Sequence, residues 1–89
     1  MPEGKAGRSL KMRFERSTKR AWDLPTKPSN EKLLEMYALY KQATEGDCEG
    51  KPRGGLRDRA KHKAWKAIVG TSEVAAMERY CEIVDSLMG

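Results

Sequence analysis

Between Pro28 and Thr44 the large apolar side chains recur three and four residues apart: Leu33, Leu34, Met36, Tyr37, Tyr40 and Ala43. That spacing gathers them on one side of an α-helix. The run Pro28-Ser29-Asn30-Glu31 supplies its start. A Ser or Asn oxygen accepts from the free amides of a first turn, and Glu31 suits the positive end of the helix dipole. An earlier helix is predicted from Leu10 to Leu24 through Phe14, Ala21 and Trp22, closed by Pro25 and Pro28. A third runs from Leu56 to Val69 through Ala60, Ala64, Trp65 and Ile68, with Gly70 where a left-handed residue ends a helix. Thr71 and Ser72 can cap a fourth, whose stripe is Val74, Met77, Tyr80, Cys81, Val84, Leu87 and Met88. Gly46, Gly50, Pro52, Gly54 and Gly55 crowd the stretch after the second helix, which reads as a loop too long for a tight turn. No segment alternates with the period of a strand and no unit repeats. The pattern predicts an all-α bundle of four helices.

Composition narrows this reading. A chain of 89 residues has room for one domain, and with 38% hydrophobic and 35% charged residues its core must come from well-placed stripes rather than abundance. Residues Met1 to Ser9 hold two glycines, a proline and three charges, with no large apolar side chain besides Met1. They are predicted to form a flexible basic tail over 1–9, ahead of a folded domain over 10–89. No stretch approaches the roughly 18 apolar residues that span a bilayer, and the start of the chain has no apolar leader. Cys48 and Cys81 have neither metal-ligand spacing nor the look of a disulfide framework, so a reduced, cytoplasmic setting is expected, with no metal. The net charge of +5 favours an anionic partner: nucleic acid, an acidic lipid surface or a phosphorylated small molecule.

The third helix carries cations on two sides. Arg57, Lys61, Ala64, Trp65 and Ile68 fall within about 100° of arc, whereas Arg59 and Lys63 lie opposite, on an ordinary solvated face. Arg57 and Lys61 either snorkel at the core edge or reach into a site. On the second helix Tyr37 and Lys41 stand one turn apart with Tyr40 beside them. A ring to stack on and a cation for phosphate are what an adenine nucleotide needs, although the same tyrosines fit the core stripe. Catalysis has little to stand on. His62 is the single histidine, no nucleophile is paired with a base, and Gly54-Gly55 is far short of a phosphate-binding loop. Asp47 reads as a turn residue.

The run Tyr37-Ala-Leu-Tyr-Lys-Gln-Ala-Thr-Glu-Gly-Asp47 resembles the signature Y-x-x-Y-K-Q-A-T-x-G-D of the acyl-CoA-binding protein family. The likeness continues through Lys27-Pro28-Ser29-Asn30-Glu31, Ala60-Lys61-His62-Lys63-Ala64-Trp65, Gly70-Thr71-Ser72 and Ala76-Met77-Glu78-Arg79-Tyr80, covering nearly everything from Phe14 to Leu87. It implies an up-down-down-up four-helix bundle that binds one long-chain acyl-CoA, the nucleotide head at the surface and the acyl chain between helices. It further implies a non-enzymatic cytoplasmic carrier and pool former, monomeric and without a cofactor. Such a carrier meets membranes or acyl-CoA-using enzymes transiently and does not bind nucleic acid. Carried across by position, Tyr37 resembles the ring that stacks near adenine, and Lys41 and Lys61 the lysines that hold the ribose 3′-phosphate. Tyr40 matches the second tyrosine of that helix, Arg57 stands where a lysine is frequent, and Tyr80 resembles the fourth-helix tyrosine near the ligand. The chain departs from the family pattern at His62, where a tryptophan is common, and at Leu56, where phenylalanine is. Trp22, Glu45 and a slightly shortened loop between Asp47 and Leu56 depart from it as well.

Overall fold

A computed structural model describes residues 2–51 and 54–88, with side chains from Ser9 onward. Four α-helices follow one another: α1 (Pro2–Arg20), α2 (Asn30–Glu45), α3 (Leu56–Lys66) and α4 (Glu73–Met88), with a single 3-10 turn, Ala21–Asp23, after α1. The termini of α2 and α4 follow the capping chemistry of the sequence. Ser29 Oγ accepts from the Lys32 amide at 3.2 Å, and Ser72 Oγ from the Ala75 amide at 3.0 Å. Gly46, at φ +85°, closes α2 by donating its N–H to the Gln42 carbonyl at 3.2 Å.

Two helix limits differ from the sequence pattern. α1 does not reach Leu24, because Pro25 pushes the residue before it into extended backbone, and Leu24 sits at φ −61°, ψ 138°. At its other end the helical backbone continues back to Pro2, through residues predicted as a tail. A proline fits the first turn, where its missing N–H costs nothing. α3 stops at Lys66 rather than Val69. Ile68 and Val69 donate to the carbonyls of Trp65 and Lys66, three residues back, at 3.1 and 3.3 Å, which tightens the chain before Gly70 turns it at φ +95°.

α2 and α4 form the centre. α1 packs on α4 and α3 on α2, giving a flattened body of 42 × 32 × 15 Å. The core is Phe14 from α1, Met36, Leu39 and Ala43 from α2, and Ala76, Tyr80, Cys81, Ile83 and Val84 from α4. α3 buries no residue completely; its half-buried Trp65, and Ile68 just past its end, close the bundle from the side. The buried stripe of α4 is rotated from the one the spacing suggests: Ala76 and Ile83 lie inside, while Val74 and Met88 face out. Leu33, Tyr40 and Trp22, also assigned to helix stripes by their spacing, are exposed as well.

Glu35 ties α2 to α4, accepting from Lys32 at 3.1 Å and from Arg79 at 3.2 Å. Partial burial pushes its carboxyl up, but the two cations outweigh burial and hold it below the ordinary carboxylate value. A folded pKa below the unfolded one means the contribution is present above the unfolded value and is lost as pH falls through the folded one. Glu35→Gln is therefore expected to lower the urea midpoint at neutral pH and to converge with the parent in acid, as a midpoint-against-pH series would record.

Candidate functional site

The residues expected in the α2 stripe but left exposed share one place. A groove of about 820 Å³ opens between the end of α1, the segment leading into α2, and α2 itself, with Tyr80 of α4 at its base. Its walls are Ala21, Trp22, Leu24, Leu33, Met36, Tyr37 and Tyr40, with Thr18, Thr26 and Lys27 supplying polar edges. Inside it Tyr40 and Tyr80 lie 6.5 Å apart, and both contact Phe14, at ring separations of 6.0 and 5.2 Å. Burial holds the Tyr80 hydroxyl above its ordinary pKa, with the neighbouring Tyr40 adding to the effect, so this ring stays neutral. The groove is apolar along its length and open to solvent, which is how an elongated hydrocarbon would be held.

Tyr37 belongs both to this groove and to a cationic cluster. Lys61 Nζ stands 5.1 Å from the centre of the Tyr37 ring and Lys41 Nζ 5.9 Å from it, and Lys41 Nζ is also 5.6 Å from the Trp65 ring. Two ammonium groups from two helices therefore converge over one phenol, within the range where a ring face attracts a cation. An anion beside the Tyr37 ring would be attracted by both. In the free protein Lys41 already has one, the carboxylate of Glu45 one turn on. The hydrogen bond to Glu45 is the main reason that the Lys41 ammonium is held above the ordinary lysine range. Arg57 is exposed on the first turn of α3, and no contact among the described residues ties it to Tyr37. Of the six positions singled out in the sequence, five (Tyr37, Tyr40, Lys41, Lys61 and Tyr80) fall on the groove or its cationic end.

A polar knot behind the cluster fixes the geometry. Gln42, 1% exposed, donates from Nε2 to Asp47 Oδ1 at 2.7 Å and to the Thr71 carbonyl at 2.8 Å. The Trp65 indole N–H donates to Gln42 Oε1 at 3.1 Å and to the Gly46 carbonyl at 2.9 Å. The Gly70 amide donates to Asp47 Oδ1 at 2.8 Å, and this bond, with the one from Gln42, holds the Asp47 carboxyl below its ordinary pKa. The knot joins α2, both loops and α3, so Lys41, one residue before Gln42, and Lys61, one turn before Trp65, are set in register. Within the run Lys41-Gln-Ala-Thr-Glu-Gly-Asp47 the residues Gln42, Gly46 and Asp47 thus act as a folding device. His62 has a role that its spacing did not suggest: its Nε2–H donates to the Gly50 carbonyl at 3.1 Å, pinning the α2–α3 loop.

Comparison with known proteins gives the family. The family model described as "Acyl CoA binding protein" matches residues 11–84. The chain belongs to the acyl-CoA-binding protein family. It is 46% identical to the acyl-CoA-binding protein of Saccharomyces cerevisiae over 84% of this chain and 88% of that one. It is 44% identical to the acyl-CoA-binding protein of Ricinus communis over 90% of this chain and 91% of that one. The crystal structure of acyl-CoA-binding protein 2 from Oryza sativa superposes with a TM-score of 0.88 at 40% identity, covering 93% of this chain and 92% of that one. The four helices are thus the up-down-down-up bundle of this family.

Three features of the site escaped sequence reasoning. Trp22 has helical spacing with Phe14 and Ala21, yet it is 90% exposed and lines the groove. Lys27 lines the groove, although it lies in a loop with no periodicity to mark it. Gln42 interrupts an apolar stripe, and a polar residue at a core phase was the available signal for the knot.

Proposed function

We propose that this chain binds long-chain acyl-CoA esters reversibly, one per molecule, and holds them without chemistry as a monomeric cytoplasmic carrier and pool former. The observation that carries the reading is the convergence of Lys41 and Lys61 over Tyr37 at one end of an apolar groove. A CoA ester has the matching parts in the matching order: an adenine ring and a 3′-phosphate at one end, hydrocarbon at the other. Tyr37 gives the adenine a face, the two lysines take the phosphate, and Tyr40 and Tyr80 line the path of the chain. Arg57 is assigned to the outer phosphates, reached from the exposed start of α3. Shielding a thioester requires no catalytic group, which fits a binder rather than an enzyme. Among the described residues no helix is long and apolar enough to cross a membrane. Such a carrier takes its cargo from membranes or acyl-CoA-using enzymes and gives it up to them.

Lys61→Ala tests the head-group assignment. A hydrogen bond to a charged group contributes about 1.5–3 kcal/mol, so calorimetry should give a loss of roughly ten- to a hundredfold for an acyl-CoA. The 3′-dephospho analogue should lose little, and an equal loss for both ligands would remove Lys61 from that phosphate.

Glu45 sets a second expectation. Its carboxylate occupies the Lys41 ammonium that the phosphate needs, so binding must displace it. An exposed pair of this kind is worth up to about 1 kcal/mol. Glu45→Gln is expected to tighten acyl-CoA binding by up to about fivefold at low salt, with the gain shrinking as ionic strength rises. A weaker complex would mean that Glu45 positions Lys41 rather than competing for it.

A further inference from the structure

α1 and α2 each pack on α4, and the trough between them does not end at Tyr40. A second recess of about 580 Å³ adjoins the groove, and Thr18 and Tyr40 wall both spaces. The same three helices line them turn by turn. Along α2 the wall passes from Tyr37 through Tyr40 to Thr44, residues three and four apart and so on one face. Along α1 it passes from Ala21 through Thr18 to Phe14, and along α4 from Tyr80 to Met77. Tyr37, over which Lys41 and Lys61 converge, lines the groove alone, and the recess begins at Tyr40, one turn further along α2. The Tyr40 ring, 42% exposed, stands on that boundary, 6.5 Å from Tyr80 on the groove side and 6.0 Å from Phe14 on the recess side. The recess is walled with carbon: Phe14 and Ala43 are buried, Leu10 and Met77 half-buried, and Val74 is 51% exposed. Lys11, Glu15 and Glu73 keep charge at its rim.

We propose that the groove continues past Tyr40 into this recess, which serves as a distal subsite for the methyl end of very long acyl chains. The proposal rests on the acyl-CoA reading and adds to it the chain lengths that the site favours. Continuity selects the occupant. A hydrocarbon lying against Thr18 and Tyr40 is already at the mouth of the recess, and each further methylene that enters leaves water without a second molecule having to be immobilised. A separate partner would meet the whole cost of association for one small recess. Tyr40 is then a threshold: short chains end before its ring, and long ones pass it to reach Leu10, Val74 and Met77. Affinity keeps rising with length for as long as carbon enters the recess.

The experiment is photolabelling of the full chain with acyl-CoAs that carry a diazirine at the methyl end, in lauroyl, palmitoyl and behenoyl lengths, with the labelled residues read by mass spectrometry. The lauroyl probe is expected to mark groove walls such as Leu33 and Met36, and the behenoyl probe to mark Leu10, Val74 or Met77. Label that stays among the groove walls at every length would overturn the proposal and leave the acyl-CoA reading standing. If excess unlabelled palmitoyl-CoA removes no label from any position, both fall together. Calorimetry gives a second readout. Each methylene denied burial lowers affinity about fourfold, so Val74→Gln is expected to weaken behenoyl-CoA by about four- to fifteenfold and lauroyl-CoA by less than about twofold. Val74 is exposed enough that a polar side chain there leaves the fold in place. An equal loss at both lengths, or none at either, would count against the subsite as decisively as the labelling. A complex of two chains per behenoyl-CoA in native mass spectrometry would put the methyl end in a second copy and overturn the proposal too.

Discussion

Calorimetric titration with CoA esters of increasing length is expected to show affinity climbing about fourfold for each methylene that enters the groove, since burying one contributes about 0.8 kcal/mol. Eight shielded carbons would amount to about 6 kcal/mol before ordering costs, a difference of roughly tens of thousandfold between free CoA and a long ester. The groove supports this size of effect because its walls are side chains, not backbone: Leu33, Met36, Tyr40 and Tyr80 present carbon along its length. Head-group contacts alone should hold free CoA weakly, because the few charge-assisted hydrogen bonds they supply must first offset the cost of immobilising the ligand. The heat capacity change should grow more negative with chain length, the mark of apolar burial. The climb should level off once the chain outgrows the groove. Equal affinity for CoA and palmitoyl-CoA would refute the groove as an acyl site, while leaving the phosphate assignment to the Lys61→Ala comparison.

The parts of this site that could be read from the sequence are those fixed by helical phase. Tyr37 and Lys41 are one turn apart on α2, and Lys61 shares the inward arc of α3, so their approach follows once α2 and α3 pack together. Phase also placed Phe14, Met36 and Val84 toward the core, as observed. It could not say which apolar residues would find a covering neighbour. Leu33 and Tyr40 have the right spacing for burial, but α1 packs on α4 and the segment leading into α2 stands off, so they line a groove instead. Trp22 was misplaced for a related reason: Pro25 ends the helical path ahead of Leu24, and the indole leaves the bundle on a 3-10 turn. The end of α3 was overextended because Ala67, Ile68 and Val69 continue its pattern. In the structure the chain tightens after Lys66 into hydrogen bonds reaching three residues back, and the Gly70 amide is then tied to Asp47, a long-range bond that no local window contains. Glu45 illustrates the opposite case. Its spacing from Lys41 was plain, but the consequence depended on Lys41 facing the site.

Gln42→Leu is expected to destabilise the fold by about 2–3 kcal/mol, and to lower the thermal midpoint by roughly 10–20 °C for a domain of this size. On a simple hydrophobic scale this substitution should help, since position 42 is 1% exposed and leucine nearly fills the same space. The hydrogen-bond arrangement reverses that expectation. The Gln42 amide satisfies the Thr71 carbonyl, shares Asp47 Oδ1 with the Gly70 amide, and shares the Trp65 indole N–H with the Gly46 carbonyl. Leucine would leave the Thr71 carbonyl without its partner and remove one of the two donors that stabilise the Asp47 charge, the asymmetric loss that makes a half-deleted polar network worse than an apolar core. Asp47 and Gln42 act through the same knot, so Asp47→Ala combined with Gln42→Leu should cost less than the two changes separately, and a double-mutant cycle by urea unfolding would give the coupling directly. Lys41 and Lys61 are held in register by this knot, so Gln42→Leu should also weaken acyl-CoA binding under conditions where the variant remains folded. A variant as stable as the parent would mean that position 42 is filled for its volume and that the knot contributes nothing to holding α2, α3 and their loops together.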